Sequence, residues 1–307
     1  MAQVLKEYFI SDIQEKLFSG NMFLTNSVSH DIYADGKTVH VPQAGGITDV
    51  EVDRSTFPGT VNDRTDTELT YDLKSFSTDP FRLPNIEKLQ LSYDKRTSLL
   101  NQHINKLNQE MGTYGLINWG TDTSSRVVLT TGTASSSIAP PTSTLSPKGL
   151  KIADLADAAA VLDADDVPQN DRFIVMPSKM YWNFVNAEKD YLLSVDFAKN
   201  ITPEEQAMGV VSKVMGFNII ARSVTPIFTD GASPSKKAYG AAAAVDDVYG
   251  AVFYQRDQVA KAMGGVNFFE RQNDPTYYGD IYSAEVLFNT TQLRSDEKGV
   301  GCIVQNT

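Results

Sequence analysis

The most regular pattern of apolar residues lies in residues 85–111, and it predicts a long helix. Apolar side chains recur there at steps of three, four or seven residues. Asn85 follows Pro84 and is placed to cap the first turn. At 1.5 Å per residue such a helix would be about 40 Å long. Because one face is apolar, we expect it to lie across a sheet or a partner. The apolar positions are Ile86, Leu89, Tyr93, Leu100, Ile104, Leu107 and Met111.

Residues 31–76 show a second pattern, in which apolar and polar residues alternate in two runs separated by turn-forming dipeptides. This alternation indicates β-strands, and the intervening glycines indicate turns. We therefore predict an extended hairpin with polar residues on both sides of its tip. Such a hairpin has little apolar surface to fold onto its own domain, so we expect its stability to depend on a neighbour. The alternating positions are Val39, Val41, Leu69, Tyr71 and Leu73.

Shorter patterns fill the rest of the chain. Residues 1–20 have apolar residues near helical spacing and predict an amphipathic helix. Residues 121–149 are dominated by Ser, Thr, Gly and Pro, which predicts a linker or a long surface loop. From residue 150 to residue 226 helical and strand patterns alternate, which is typical of a compact α/β unit. Its predicted elements are a helix over 152–162, a strand over 173–176, a helix capped by Ser178, a helix start at 202–205 and a strand over 216–224.

The chain closes on two strand-like runs, residues 286–293 and 300–305, joined by the charged turn 295–299. Chain termini usually fray, so an apolar strand this close to the end must be covered by other elements. We predict that both runs are the last strands of the sheet beside the long helix. On this interpretation Cys302 packs in a strand and is not a reactive thiol.

Composition and charge exclude several classes of protein. The chain has 307 residues, 41% of them apolar, which is enough for a sizeable core. Its 27 basic and 38 acidic residues give a net charge of −11, which opposes tight binding to a phosphate backbone. A single cysteine excludes an internal disulfide. No run of residues approaches the roughly 20 apolar positions that a membrane helix needs, and we predict no membrane partner.

Candidate chemistry is sparse. The three histidines, His30, His40 and His103, are widely spaced and have no neighbouring cysteine or carboxylate pair. Residues 163–166, Asp-Ala-Asp-Asp, could offer carboxylates to a metal, but no further ligand has the right spacing. We predict that they end a helix in solvent. No nucleotide-binding or hydrolase motif occurs. We therefore predict no catalytic, cofactor-binding or metal-binding residues, no cofactor and no enzyme.

Aromatic and basic residues raise the question of nucleic-acid binding. The spacing of the aromatic residues in 178–185 predicts core packing in preference to a base-stacking platform. Four basic residues could face nucleic acid or acidic neighbours, although solvated surface is our expectation. The aromatic residues are Tyr181, Trp182 and Phe184, and the basic ones are Arg126, Arg256, Lys261 and Arg271.

Two segments carry a family resemblance. In residues 155–185 a helix ends in Leu-Asp, and a Val-Pro turn, an Asp-Arg step, an apolar strand, a proline and an aromatic helix follow. In residues 209–226 Gly-Phe precedes a strand and a serine, and the closing strands of 278–305 are also similar. These features resemble the major capsid protein of tailed bacteriophages, whose fold is shared with encapsulins. The matching positions are Leu162, Asp163, Val167, Pro168, Asp171, Arg172, Pro177, Tyr181, Trp182, Gly209, Gly216, Phe217 and Ser223.

The resemblance implies an α+β phage major capsid fold, with an N-terminal arm, an extended β-hairpin loop, a peripheral domain with a long spine helix, and an axial α/β domain. It also implies self-assembly through hexamers and pentamers into an icosahedral shell around double-stranded DNA. The implied divisions are an arm over 1–30, a hairpin loop over 31–80, a peripheral domain, spine helix and crossing segment over 81–149, an axial domain over 150–250, and a return to the peripheral sheet over 251–307.

The implied partners are other copies of the chain, a separate scaffolding protein, a portal and decoration proteins, with packaged DNA touched only non-specifically. The implied location is the virion, with assembly in the cytoplasm of the bacterial host. Three alternatives stay open. One is an encapsulin-type nanocompartment shell, one is an α/β enzyme with its site in 150–226, and one is a tail-tube or adhesin-like structural protein.

Overall fold

The computed structural model describes residues 21–35, 37–43, 66–84, 95–189 and 209–307, with a few positions between 45 and 63 and residue 202. The predicted amphipathic helix in 1–20, the first part of the predicted long helix and most of the helix start at 202–205 lie outside the described residues. Among the described helices, none is both long and apolar enough to cross a membrane.

The described elements are mainly strands. The helices are α1 (Lys95–Trp119), α2 (Ile152–Ala164) and α3 (Ser178–Ala187). The strands are β1 (Val28–Ser29), β2 (Ala34–Asp35), β3 (Thr38–Gln43), β4 (Thr67–Asp72), β5 (Lys74–Ser77), β6 (Phe81–Pro84), β7 (Val127–Leu129), β8 (Arg172–Pro177), β9 (Ser212–Val214), β10 (Phe217–Arg222), β11 (Ile227–Thr229), β12 (Asp247–Gln255), β13 (Val259–Asp274), β14 (Gly279–Gln292) and β15 (Val300–Val304).

These strands form three sheets. A five-stranded sheet has the order β1-β13-β14-β5, with β6 also paired to β14, and α1 packs on it. A seven-stranded sheet has the order β7-β15-β12-β8-β10-β9, with β11 paired to β12, and α2 and α3 contact it. A small sheet has the order β2-β3-β4. The mixture of helices and sheets confirms the predicted α+β class.

The predicted hairpin is confirmed. Strands β3 and β4 pair antiparallel from Thr38 opposite Asp72 to Gln43 opposite Thr67. We call the connecting residues 44–66 the outer loop. Its inner end packs on its own subunit, because buried Val39 and Leu73 contact buried Ala262 of β13. The hairpin is thus anchored at its base.

The long helix is confirmed, but the predicted end at Met111 is wrong, because α1 continues to Trp119. The sequence reads Gly-Thr-Tyr-Gly after Met111, and glycine inside a helix costs about 1 kcal/mol relative to alanine. Close packing explains the first glycine. A Cβ on Gly112 would lie 2.1 Å from Oδ1 of Asn21 and 2.7 Å from Nη2 of Arg222.

The prediction that residues 300–305 join the sheet beside the long helix is wrong. Strand β14 lies in the five-stranded sheet, but β15 lies in the seven-stranded sheet between β7 and β12. Residues 251–255 also belong to the seven-stranded sheet, as part of β12. Of the described residues in 251–307, β13 and β14 thus lie in the five-stranded sheet, whereas 251–255 and β15 lie in the seven-stranded sheet. The domain boundaries themselves remain predictions.

Both faces of the seven-stranded sheet are covered, which explains its nearly continuous apolar strands. Phe173 and Val175 of β8 face a core shared with α1 and the five-stranded sheet. Ile174 and Met176 face a second core formed with α2 and α3. Strand β15 alternates in the same way, with Cys302 in the first core and Ile303 in the second. An apolar strand can therefore end three residues before the terminus because its neighbours bury both faces.

We predict that a chain truncated after Lys298 shows no cooperative unfolding, because it loses an inner strand and opens both cores. Removing Asn306 and Thr307 should lower the free energy of unfolding by about 1 kcal/mol per lost hydrogen bond, since it removes chiefly polar contacts such as Lys148 N–H to the carbonyl of Asn306 at 2.6 Å. Thermal melts followed by circular dichroism measure both. A normal transition from the longer truncation would contradict the position of β15.

Candidate assembly surface

The histidines contact separate partners. Nδ1 of His30 lies 3.1 Å from the hydroxyl of Tyr71, and burial lowers the pKa of His30. Nδ1 of His40 lies 2.6 Å from Glu68, and the ring of His103 stacks on Phe81 with centroids 4.2 Å apart. Within the described ranges no group of three His, Cys, Asp or Glu side chains is placed to hold a metal ion. These contacts are structural.

Cys302 is fully buried in β15. The backbone N–H of Thr121 donates to its Sγ at 3.3 Å. Burial raises the pKa of the thiol to about 12, so the thiolate needed for nucleophilic chemistry is scarce at neutral pH. The structure supports the prediction of a packing residue.

The acidic segment 163–166 ends α2 as predicted, but the expectation that it lies in solvent is wrong for Asp165. Nη2 of Arg126 donates to Oδ1 of Asp165 at 3.0 Å, and this hydrogen bond lowers the pKa of the carboxyl. The backbone N–H of Gly299 also donates to Asp165, at 3.2 Å. The carboxylate therefore joins three separate parts of the chain, and no signal in the local sequence indicates that.

The expectation of solvated surface also fails for two of the four basic residues. The side chain of Arg126 is mostly buried in its ion pair with Asp165. Lys261 is buried in β13, and burial lowers the pKa of its ammonium group. Arg256 is exposed, and Arg271 is an exposed partner of Asp274 at 2.8 Å. Two of the four are thus unavailable to a nucleic-acid phosphate.

The residues that carry the family resemblance in 155–185 form one structural unit around Arg172. Its guanidinium is 3% exposed and pairs with Asp163 at 2.6 Å. It also donates to the carbonyls of Val167, at 2.6 Å, and Pro168, at 3.0 Å. Arg172 thereby joins the end of α2 and the following turn to the first residue of β8. The motif spacing follows from this geometry.

The second segment is explained by its turns. Gly209 and Gly216 have φ of +81° and +79°, a region that favours glycine. A Cβ on Gly209 would lie 3.3 Å from the Cβ of Met22, whereas Gly216 has open space around it. Phe217 then begins β10 with its side chain fully buried against the ring of Phe253.

Three strongly exposed apolar side chains lie in the outer loop of the hairpin. In the outer loop of the hairpin Val50, Val52 and Phe57 are 91%, 85% and 78% exposed. Isolated exposed apolar residues are ordinary, whereas larger exposed apolar patches mark contact surfaces. We call these three residues the loop patch.

Other exposed aromatic side chains lie elsewhere, among them Trp182 and two tyrosines of one turn. The prediction that Trp182 packs in the core is wrong, because it is 66% exposed on α3, whereas Tyr181 and Phe184 are buried as predicted. Tyr277 and Tyr278 are exposed at the turn between β13 and β14. Helical spacing could not separate Trp182 from Tyr181, since adjacent residues on a helix lie only about 100° apart.

No protein-family model and no curated protein matches the sequence. Solved capsid structures match the fold along nearly the whole chain. The capsid of cyanophage P-SCSP1u is 17% identical, with a TM-score of 0.63 over 92% of this chain and 87% of that chain. The chain has the phage capsid fold.

Other capsids match similarly. The capsid of Ralstonia phage GP4 is 12% identical, with a TM-score of 0.62 over 92% of this chain and 87% of that chain. A virus-like particle from Pyrococcus furiosus is 9% identical, with a TM-score of 0.54 over 98% of both chains. The capsid fold suggested by the sequence resemblance is therefore confirmed. In the capsid fold, β3 and β4 correspond to the extended hairpin loop and α1 corresponds to the spine helix.

We predict unequal effects at the ion pair of Arg172 and Asp163. Arg172→Leu should lower the free energy of unfolding by about 3 kcal/mol, because buried carbonyls lose their donor. Asp163→Asn should lower it by less than about 1 kcal/mol, because the Asp163 side chain is 49% exposed. Urea denaturation measures both, and equal losses would contradict the supporting role assigned to Arg172.

Proposed function

We propose that this chain is the major capsid protein of a tailed bacteriophage. It assembles through hexamers and pentamers into an icosahedral shell that encloses double-stranded DNA. The observation that carries the proposal is the capsid fold, which extends over more than nine-tenths of the chain in matches to several phage capsids. The role is structural, and the chain acts in the virion.

The loop patch supports this function. Burying apolar surface contributes about 25 cal/mol per Å², and the exposed side chains of the loop patch can bury such surface against another copy. Closed shells need each subunit to make several heterologous contacts. The outer loop of the hairpin is suited to one of them, because its base is fixed and its apolar side chains are exposed.

The net charge of the chain is compatible with a shell that encloses DNA but binds it only weakly. A net charge of −11 disfavours tight phosphate binding. Two of the four basic residues considered for such contacts are buried within the subunit. We propose that contact with packaged DNA is non-specific, that a separate scaffolding protein, a portal and decoration proteins take part, and that assembly occurs in the host cytoplasm.

An encapsulin-type nanocompartment is the second candidate, because the virus-like particle from Pyrococcus furiosus matches 98% of the chain. Its TM-score of 0.54 is lower than the 0.63 and 0.62 of the two phage capsids described above. Nuclease-protected genomic DNA in particles recovered from phage-producing cells would favour the phage capsid. Particles that hold protein cargo and no genome would favour the nanocompartment.

We predict that Val52→Ser with Phe57→Ser reduces shell yield at least tenfold while leaving the thermal midpoint of the unassembled subunit nearly unchanged. The reason is that both side chains are exposed in the single subunit and a contact between copies would bury them. Negative-stain microscopy and sedimentation measure the yield.

Val52→Ile with Phe57→Leu is the matched control, because it keeps the apolar area and should assemble. Normal shells from the serine variant would overturn the role of the loop patch. If the unaltered chain forms only small particles even with its scaffolding protein present, the capsid function itself is wrong.

A further inference from the structure

The loop between β11 and β12 crosses over the spine helix, and one side chain can hold its outer part there. Residues 238–243 read Ala-Tyr-Gly-Ala-Ala-Ala, so Tyr239 is the only side chain among the six that is larger than a methyl group. All six residues are exposed. We call residues 238–243 the flap.

The two ends of the flap are fixed to the seven-stranded sheet. Nζ of Lys237 pairs with the buried carboxylate of Asp247 at 2.5 Å. The backbone N–H of Ala244 donates to the same carboxylate at 2.8 Å. Since both residues flanking the flap bind one buried group at the start of β12, the flap is a closed loop with a rigid base.

The outer part of the flap contacts α1 through Tyr239. The hydroxyl of Tyr239 donates to Oε2 of Glu110 at 2.7 Å. Its ring meets the ring of Tyr114 edge-on, with centroids 5.6 Å apart. Burial and Glu110 together raise the pKa of Tyr239 to about 12, so the hydroxyl remains a donor at neutral pH. Lys106, one turn before Glu110, pairs with the same carboxylate and holds the acceptor in place.

Tyr239 also separates two cavities along α1. A cleft of about 700 Å³ lies between β5 and α1 and is lined by Phe76, Leu107 and Tyr114. A cavity of about 290 Å³ lies between α1 and the segment before β11, and Ile117 lines it. Glu110 and Tyr239 line both spaces. Tyr239 and Glu110 therefore lie at the boundary between the two spaces.

A second polar link lies beside this contact. Nη2 of Arg222, the last residue of β10, donates to the carbonyl of Gln109 at 3.0 Å and to the hydroxyl of Thr113 at 3.3 Å. Arg222 is half-buried, whereas Tyr239 is exposed. Of these two links between the seven-stranded sheet and the spine helix, the surface one is the easier to open.

We propose that the flap is a conformational latch. The side chain of Tyr239 moves, and Glu110 on the spine helix is the hydrogen-bond acceptor that holds it in the closed state. Closed, it ties the seven-stranded sheet to α1 at the surface. Open, it merges the two cavities and leaves Arg222 to carry the polar contact at this point. Resting on the proposed function, the latch would let one chain occupy pentamers and hexamers, whose subunits meet neighbours at different angles.

The latch is tested by the accessibility of a thiol placed beneath it, in full-length chain kept below the concentration at which particles form. Ile117→Cys puts a thiol in the smaller cavity, and the rate of its labelling by a maleimide is measured. Tyr239→Phe, which removes one hydrogen bond and keeps the ring, should raise the rate about fivefold. Tyr239→Ala should raise it more. Tyr277→Ala, which removes an exposed tyrosine elsewhere, is the matched control and should leave the rate unchanged.

Cys302 distinguishes local opening from global unfolding, since it is fully buried. If Tyr239→Ala also accelerates labelling at Cys302, that variant is unfolding globally. The latch is then judged from the labelling rate of Tyr239→Phe alone. Equal rates at Ile117→Cys with and without the Tyr239 substitutions would overturn the latch. A single shell diameter, the same for Tyr239→Phe and the unaltered chain, would overturn the role in assembly. If the unaltered chain forms no shells, the proposed function fails, while the labelling result still decides the latch.

Discussion

The fold depends on an aromatic cluster at the end of the spine helix, where the two large sheets meet. The ring of Trp119, fully buried, lies 5.1 Å from Tyr254 of β12 and 5.7 Å from Phe23. Its Nε1 donates to the carbonyl of Ala260 in β13 at 3.1 Å. One residue of α1 therefore contacts both sheets, and Tyr254 extends the cluster by stacking on Phe173. Because aromatic pairs combine large buried area with a preferred geometry, this cluster fixes the position of each sheet relative to the helix.

The path of the chain makes this junction unavoidable. It passes from one sheet to the other between β12 and β13, through residues 256–258, and returns between β14 and β15. The return turn is held by the carboxylate of Asp165, which binds Arg126 and the N–H of Gly299. The two sheets are thus joined at this junction both by the chain itself and by side-chain contacts.

Local patterns were sufficient for elements whose stabilising contacts are local. The apolar stripe predicted the spine helix, the alternation predicted β3 and β4, and the spacing around Arg172 predicted the order of α2, β8 and α3. Local patterns were insufficient where contacts with residues distant in the sequence determine the end of a helix or the sheet that a strand joins. Gly112 looks like a helix end unless Asn21 and Arg222 are known to lie against it. Strand β15 looks like a partner of β14 because the two follow one another, yet its apolar residues on both faces fit a strand covered on both sides.

The candidate surface shows the same limit, because exposure is a property of the folded subunit. Nothing in the sequence pattern distinguishes Trp182 from Tyr181. The packing of α3 buries Tyr181 and leaves Trp182 exposed. Surface charge adds a second condition on contact between copies. With a net charge of −11, two subunits repel each other at long range, and physiological salt screens that repulsion beyond about 8 Å. The proposed assembly therefore relies on short-range contact, to which buried apolar surface contributes. In the proposed shell the exposed loop patch supplies that contact, and none of its side chains belongs to the aromatic cluster around Trp119.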